Sequence, residues 1–207
     1  MILTGLYVPL ITPFDAAGAV ALDALATLAH RMLDAGAAGL VALGTTAEPT
    51  SLSRSEQRAV VDVVARVCRQ RGGRLLVGAA TAPALRELGE RPEVVGALCV
   101  VPPFVRPGEA GVLAHLTHLA AVSPVPLVIY HVPYRTGQAL SVDTFRRLAA
   151  VPGVIGVKWT VGGIDDDTVA LLGDPPAGFA VLGGDDVVVS PLLALGAHGA
   201  ILASAHV

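Results

Sequence analysis

The run Val154-Ile155-Gly156-Val157-Lys158-Trp159-Thr160 is apolar and β-branched up to a single charge. It reads as a strand with a lysine at its carboxyl end. That lysine is the only one in 207 residues, and the other thirteen of the 14 Lys and Arg side chains are arginine. Burial at such a position disfavours the ammonium and lowers the lysine pKa, by up to about 3 to 5 units when complete. A neutral amine at a strand end is what imine formation with a carbonyl substrate requires. The alternative is a lysine that reaches along its aliphatic stem from the strand terminus to water.

Working outward, the lysine strand (155–158) is one of eight short apolar runs. The others are 5–10, 38–43, 75–79, 96–100, 127–130, 179–182 and 200–203. The continuous run at 38–43 is what a strand buried on both faces of a parallel sheet looks like. Helical patterns alternate with the strands. Leu22, Leu25, Leu28, Ala29, Met32 and Leu33 recur at helical spacing, with Gly36 where a carboxyl-terminal cap belongs. Ser53-Arg54-Ser55-Glu56 is a capping box opening a valine-rich helix that ends at Arg71-Gly72-Gly73. Further helices fall at 84–88, which is short, 109–122, 142–150 behind a Ser141 cap, 166–172 and 187–195. Eight βα units predict an α/β fold, the (β/α)8 TIM barrel, in which functional groups gather at the carboxyl ends of the strands. A doubly wound open sheet is the other candidate, but the chain has neither GxGxxG nor GxxxxGK[ST] to seat a nucleotide.

Composition narrows the class. Apolar residues make up 53% and charged residues 15%, which excludes disorder, and no apolar stretch reaches the roughly 20 residues of a membrane span. Neither a membrane nor nucleic acid is expected as a partner, because the net charge is -3, the pI is near 6.0 and no basic run is present. The amino terminus lacks a basic region followed by an apolar one, so cytoplasmic residence is expected. Cys68 and Cys99 have no CxxC spacing and read as buried thiols.

The turns after the strands carry a resemblance. Gly44-Thr45-Thr46-Ala47-Glu48 with Ser51-Leu52-Ser53 resembles the GTTGE...SL signature of the dihydrodipicolinate synthase and N-acetylneuraminate lyase family, class I Schiff-base pyruvate-dependent aldolases. Tyr130-His131-Val132-Pro133-Tyr134-Arg135-Thr136-Gly137 is similar to its YNVPxRTG segment, Gly156-Val157-Lys158 to its Schiff-base strand, and Gly183-Gly184-Asp185-Asp186 to its GDD turn. The likeness runs in order from Gly5 to Val207. It implies that Lys158 forms an imine with pyruvate or a 2-oxo acid. Thr45 and Thr46 would offer backbone amides to the substrate carboxylate. The Thr46 hydroxyl and the Tyr130 phenol would relay protons. Arg135 would clamp a second carboxylate, its other role being a surface ion pair. His131 and Gly184 complete the expected substrate contacts, His131 either bonding substrate or replacing an amide. The resemblance also implies a homo-oligomer, dimer or tetramer, with no cofactor.

Departures from the pattern bear on specificity. Pro103-Phe104 stands where the family commonly has a tyrosine pair whose second member enters a neighbouring subunit's site, and Phe104 has no hydroxyl. Ala47 replaces a glycine, His131 an asparagine and Tyr134 a small residue. Trp159-Thr160 is closer to the aromatic-Thr pair of some neuraminate lyases than to the Glu-Ala of synthases. Residues 1–207 are expected to form one TIM-barrel domain that stops short of the eighth helix and the family's terminal helical unit. The function the resemblance implies is a lyase or aldolase acting on a small-molecule 2-oxo acid, similar to the dihydrodipicolinate synthases. The alternative is a non-catalytic or truncated barrel paralogue. Asp165-Asp166-Asp167 and Asp185-Asp186 read as helix caps rather than a metal site, so no metal is expected.

Overall fold

The computed structural model describes residues 2–207. Eight parallel strands close in sequence order into a barrel: β1 (Gly5–Pro9), β2 (Gly39–Ala42), β3 (Arg74–Gly78), β4 (Val94–Val100), β5 (Leu127–His131), β6 (Val154–Trp159), β7 (Ala180–Gly183) and β8 (Gly199–Ile201). Each pairs with its neighbours, and β8 returns to β1. The helices outside are α1 (Leu22–Asp34), α2 (Arg54–Arg71), α3 (Ala82–Arg86), α4 (Gly108–Val122), α5 (Pro133–Thr136), α6 (Val142–Ala149), α7 (Asp166–Gly173) and α8 (Val189–Ala194). After β8 the chain runs through a 3-10 turn, Ala203–His206, whose His206 Nε2 lies 3.0 Å from the Pro9 carbonyl oxygen.

Local chemistry explains the helix ends. In α2 the Ser53 hydroxyl accepts from the Glu56 N–H, and the Glu56 carboxylate accepts from the Ser53 N–H, so two groups that helix geometry leaves unpaired satisfy each other. Ser141 and Asp165 cap α6 and α7 by the first of these bonds alone, their side chains accepting the N–H groups of Thr144 and Thr168. Gly36 follows α1 at φ +99°, a conformation only glycine adopts freely, and the Ala37 N–H turns back to Met32. α3 is a single short turn, as the sequence predicts, and is continued by a 3-10 segment at Glu87–Glu90.

Two layers of core follow from strand alternation. Tyr7, Val41, Leu76, Leu98, Val128, Tyr130, Leu182 and Ile201 fill the barrel interior, and a larger outer layer packs strands against helices. Parity in β6 is set by an irregularity. Against β5 the register jumps from Leu127↔Val154 to Val128↔Gly156, so β6 carries one extra residue. Val154 faces the helices, Ile155 packs on the inner cluster, and Val157 faces the helices again. Because the side-chain period is two, this bulge is what turns Lys158 inward and Trp159 outward. Gly156 is required there, since a Cβ would stand 2.6 Å from the Ala180 carbonyl oxygen.

Candidate active site

The inward lysine lies at the carboxyl end of β6, next to Tyr130 in register. Lys158 is 8% exposed, and its Nζ lies 4.4 Å from the centroid of the Tyr130 ring. Burial lowers its pKa to about 8 from an ordinary 10.5, with Asp185 and Asp186 opposing the shift and Arg135 adding to it. At pH 7 that raises the neutral fraction of the amine from about 0.03% to about 10%. Burial also pushes the Tyr130 phenol above its usual value, so it stays protonated beside the amine and is able to donate. Gly184 makes room for the lysine. A Cβ at that position would collide with Thr160 Oγ1 and stand 2.7 Å from Lys158 Cε.

The turn after β2 faces the same end of the barrel. Thr45–Ala47 form a 3-10 turn behind Gly44, followed by another at Pro49–Ser51. As first residues of such a turn, Thr45 and Thr46 present N–H groups without a partner inside it. The Thr12 hydroxyl donates to the Ala47 carbonyl at 2.7 Å and ties the loop to the β1 side. Leu43 and Glu48, on either side of the first turn, both have φ near +53°, strain of a kind that persists where the surroundings over-determine the backbone.

A cavity of about 650 Å³ opens between the loops after β2, β3, β4 and β5, walled among others by Thr45, Glu48, Leu98, Tyr130 and Arg135. Tyr130 thus walls the cavity and has the lysine amine over its ring, while Lys158 is not itself on the cavity wall. Thr46 is half-buried in the same turn as Thr45 and is not on the cavity wall. Phe104 lies at the rim, 90% exposed and held at φ +68°.

Two of the expected contacts are placed differently. His131 does not reach the mouth. Strand β5 continues through it, alternation turns it outward, and it is 1% exposed between the rings of Phe145 and Trp159, with centroids at 5.0 and 5.1 Å. Burial pushes its pKa down to about 4, and its Nδ1 has no hydrogen-bond partner among the described residues. Trp159 likewise packs under the helices and donates through Nε1 to Thr168 Oγ1 at 2.9 Å, so it does not shape the pocket. Gly184 is beside the lysine, but its N–H is taken by the Trp159 carbonyl at 2.8 Å; its part is to leave space.

Sequence reasoning missed Asp185 as a site residue, reading it as part of the GDD-like turn and of a helix cap without a role of its own. Its carboxylate accepts the Gly162 N–H at 2.8 Å, and its charge acts on Lys158, Tyr130 and Tyr134. Both cysteines are buried free thiols with pKa pushed up to about 12 by burial. Among the described residues, no three His, Cys, Asp or Glu side chains converge as metal ligands, and no helix is long and apolar enough to cross a membrane.

Known proteins are similar to this chain in sequence and in fold. The chain is 34% identical over 208 residues to the 4-hydroxy-tetrahydrodipicolinate synthase of Neisseria meningitidis serogroup B, covering 99% of this chain and 71% of that protein. The same enzyme of Moorella thermoacetica is 35% identical, covering 96% of this chain and 69% of its own. A dihydrodipicolinate synthase structure from Bacillus anthracis superposes with a TM-score of 0.90 at 28% identity, over all of this chain and 72% of that one. The profile of the Dihydrodipicolinate synthetase family matches residues 2–207, and with these relatives it establishes that the chain belongs to that family.

Proposed function

We propose that this protein is a Schiff-base lyase of the class I aldolase type, acting on pyruvate or a pyruvate-derived 2-oxo acid in the manner of its relatives named 4-hydroxy-tetrahydrodipicolinate synthase. The observation that carries the reading is the Lys158 amine, buried, 4.4 Å over the Tyr130 ring and drawn down to a pKa of about 8. A buried, unpaired lysine costs stability, and a non-catalytic barrel would have no use for one.

The chemistry follows from the residues at the mouth. The neutral Nζ adds to the C2 carbonyl, and the resulting carbinolamine hydroxyl leaves as water on taking a proton, a role we assign to the Tyr130 phenol. The iminium then accepts the electron pair released when a C3 proton is removed, and the enamine so formed attacks the carbonyl carbon of a second substrate. Water releases the product and restores the amine. The N–H groups of Thr45 and Thr46 hold the pyruvate carboxylate, and the Thr46 hydroxyl passes protons to and from Tyr130. Arg135, exposed on the cavity wall, takes a second carboxylate. A single domain, cytoplasmic residence and a homo-oligomer, with the exposed Phe104 ring set against a neighbouring copy, complete the proposal.

Pyruvate with sodium borohydride tests it. The reduced adduct should map to Lys158 alone and vanish in Lys158→Ala, since arginine stays protonated and cannot substitute. An adduct that survives Lys158→Ala, or none with pyruvate and a panel of 2-oxo acids, would sink the reading.

A further inference from the structure

One side chain of the loop between β1 and α1 crosses to the turn after β2. The loop closes on itself through an antiparallel Phe14–Val20 bridge, with the Asp15 N–H donating to the Ala19 carbonyl at 2.8 Å. Asp15 Oδ1 accepts from the N–H groups of Ala17 and Ala19. The Ala21 N–H donates to the Pro13 carbonyl at 2.8 Å, which fastens the base of the loop to the start of α1. Thr12 stands just before this hairpin and is 5% exposed. Pro13 disfavours helical backbone at Thr12, and the Leu10 N–H donates to the Val41 carbonyl of β2 at 3.0 Å, so the residue is fixed from both sides.

From there the Thr12 hydroxyl reaches 35 residues along the chain to the Ala47 carbonyl, at 2.7 Å. No backbone N–H reaches that carbonyl among the described residues. At its other end the Thr45–Ala47 turn is wedged against β3, where a Cβ at Gly78 would stand 2.0 Å from the Leu43 carbonyl oxygen. Each grip adjoins a left-handed residue, Leu43 or Glu48, and such backbone persists only where neighbours impose it. Between the grips lie the N–H groups of Thr45 and Thr46. A hydrogen bond depends on angle as well as distance, so the way the turn is held sets how well they meet an anion. We propose that Thr12 is a positioning residue for carboxylate recognition, its hydroxyl holding the Thr45–Ala47 turn so that both N–H groups converge on the carboxylate of a 2-oxo acid. The inference rests on the assignment of that carboxylate to Thr45 and Thr46 under the Schiff-base reading, but it is tested without turnover.

Lactate, which has the carboxylate and no ketone, is the probe. In the parent its titration should shift the 15N–1H signals of Thr45 and Thr46. Thr12→Val keeps the shape and removes the donor, and should weaken lactate binding by about three- to tenfold, the factor one hydrogen bond supports. Thr12→Ser, which keeps the donor, should bind lactate as the parent does. Borohydride trapping on Lys158 gives a second readout. In Thr12→Val the rate with pyruvate should fall by the same factor relative to methyl pyruvate, whose ester carries no charge, whereas a general loosening of the barrel would slow both ketones alike. Should Thr12→Val not fold, Thr12→Cys, with a weaker donor, makes the same comparisons. Lactate affinity and trapping ratio unchanged in Thr12→Val, a Thr12→Ser variant as weak as Thr12→Val, or Thr45 and Thr46 signals that lactate does not move would overturn the proposal. Absence of an adduct on Lys158 from either ketone in the parent would instead refute the Schiff-base reading, with the lactate titration still deciding the role of Thr12.

Discussion

Across the β5–β6 pair lie two buried titratable side chains that differ in one respect. Lys158 faces inward beside Tyr130, and His131, one register step on, faces outward between Phe145 and Trp159. Burial depresses both, the lysine to about 8 and the histidine to about 4. Of the inward pair, Tyr130 walls a cavity and Lys158 lies behind it against the ring, whereas His131 is not on that cavity's wall. Desolvation by itself therefore does not mark a site. On the Schiff-base reading, what separates chemistry from packing is the side of the strand on which the desolvated group falls, because one side faces the barrel interior and the other meets α6.

The comparison breaks most visibly if the phenol can be removed without consequence. Tyr130→Phe keeps the ring under the amine and deletes the proton donor, so turnover should fall by about 10²-fold or more while borohydride still labels Lys158. Turnover within a few-fold of the parent would assign proton transfer to another group.

The two depressed pKa values also make opposite ends of the pH scale informative. Lys158 has a folded pKa below its unfolded one, so the cost of keeping it charged is fully present below about pH 8 and disappears as pH rises to about 10.5. Lys158→Met should stabilise the fold by about 3 kcal/mol at pH 7, and the gain should vanish above pH 10.5. Denaturant unfolding at pH 7 and pH 10.5 checks this; an unchanged midpoint at pH 7 would mean the amine is well solvated. His131 is also depressed, and for it stability is lost as pH falls from 6.5 through about 4. His131→Phe should keep the aromatic contacts and remove up to about 3 kcal/mol of that acid loss. Parallel stability curves for variant and parent between pH 6.5 and 4 would refute the burial of His131.

Much of the barrel was legible in the sequence because its cues are local. The Ser53–Glu56 box, the Ser141 cap and Gly36 each act within four residues, and continuous apolar runs mark strands buried on both faces. Lys158 stood out because no other lysine dilutes it. Orientation was not legible. The extra residue in β6 shows itself only through pairing with β5, and β5 runs one residue beyond Tyr130, so His131 and Trp159 fall on the outer side. Nor was the Tyr134–Asp185 contact, which depends on two loops brought together by barrel closure.

The central claim is that Lys158 is a desolvated amine at the mouth of the barrel, and the sequence makes it measurable in isolation. Protein labelled with 13C-lysine contains one such residue, so a single Cε resonance reports its ionisation. Followed by NMR against pH, that signal should titrate with a midpoint near 8, and adding pyruvate should shift it further as the imine forms. A midpoint at the ordinary value near 10.5, unmoved by pyruvate, would contradict the account.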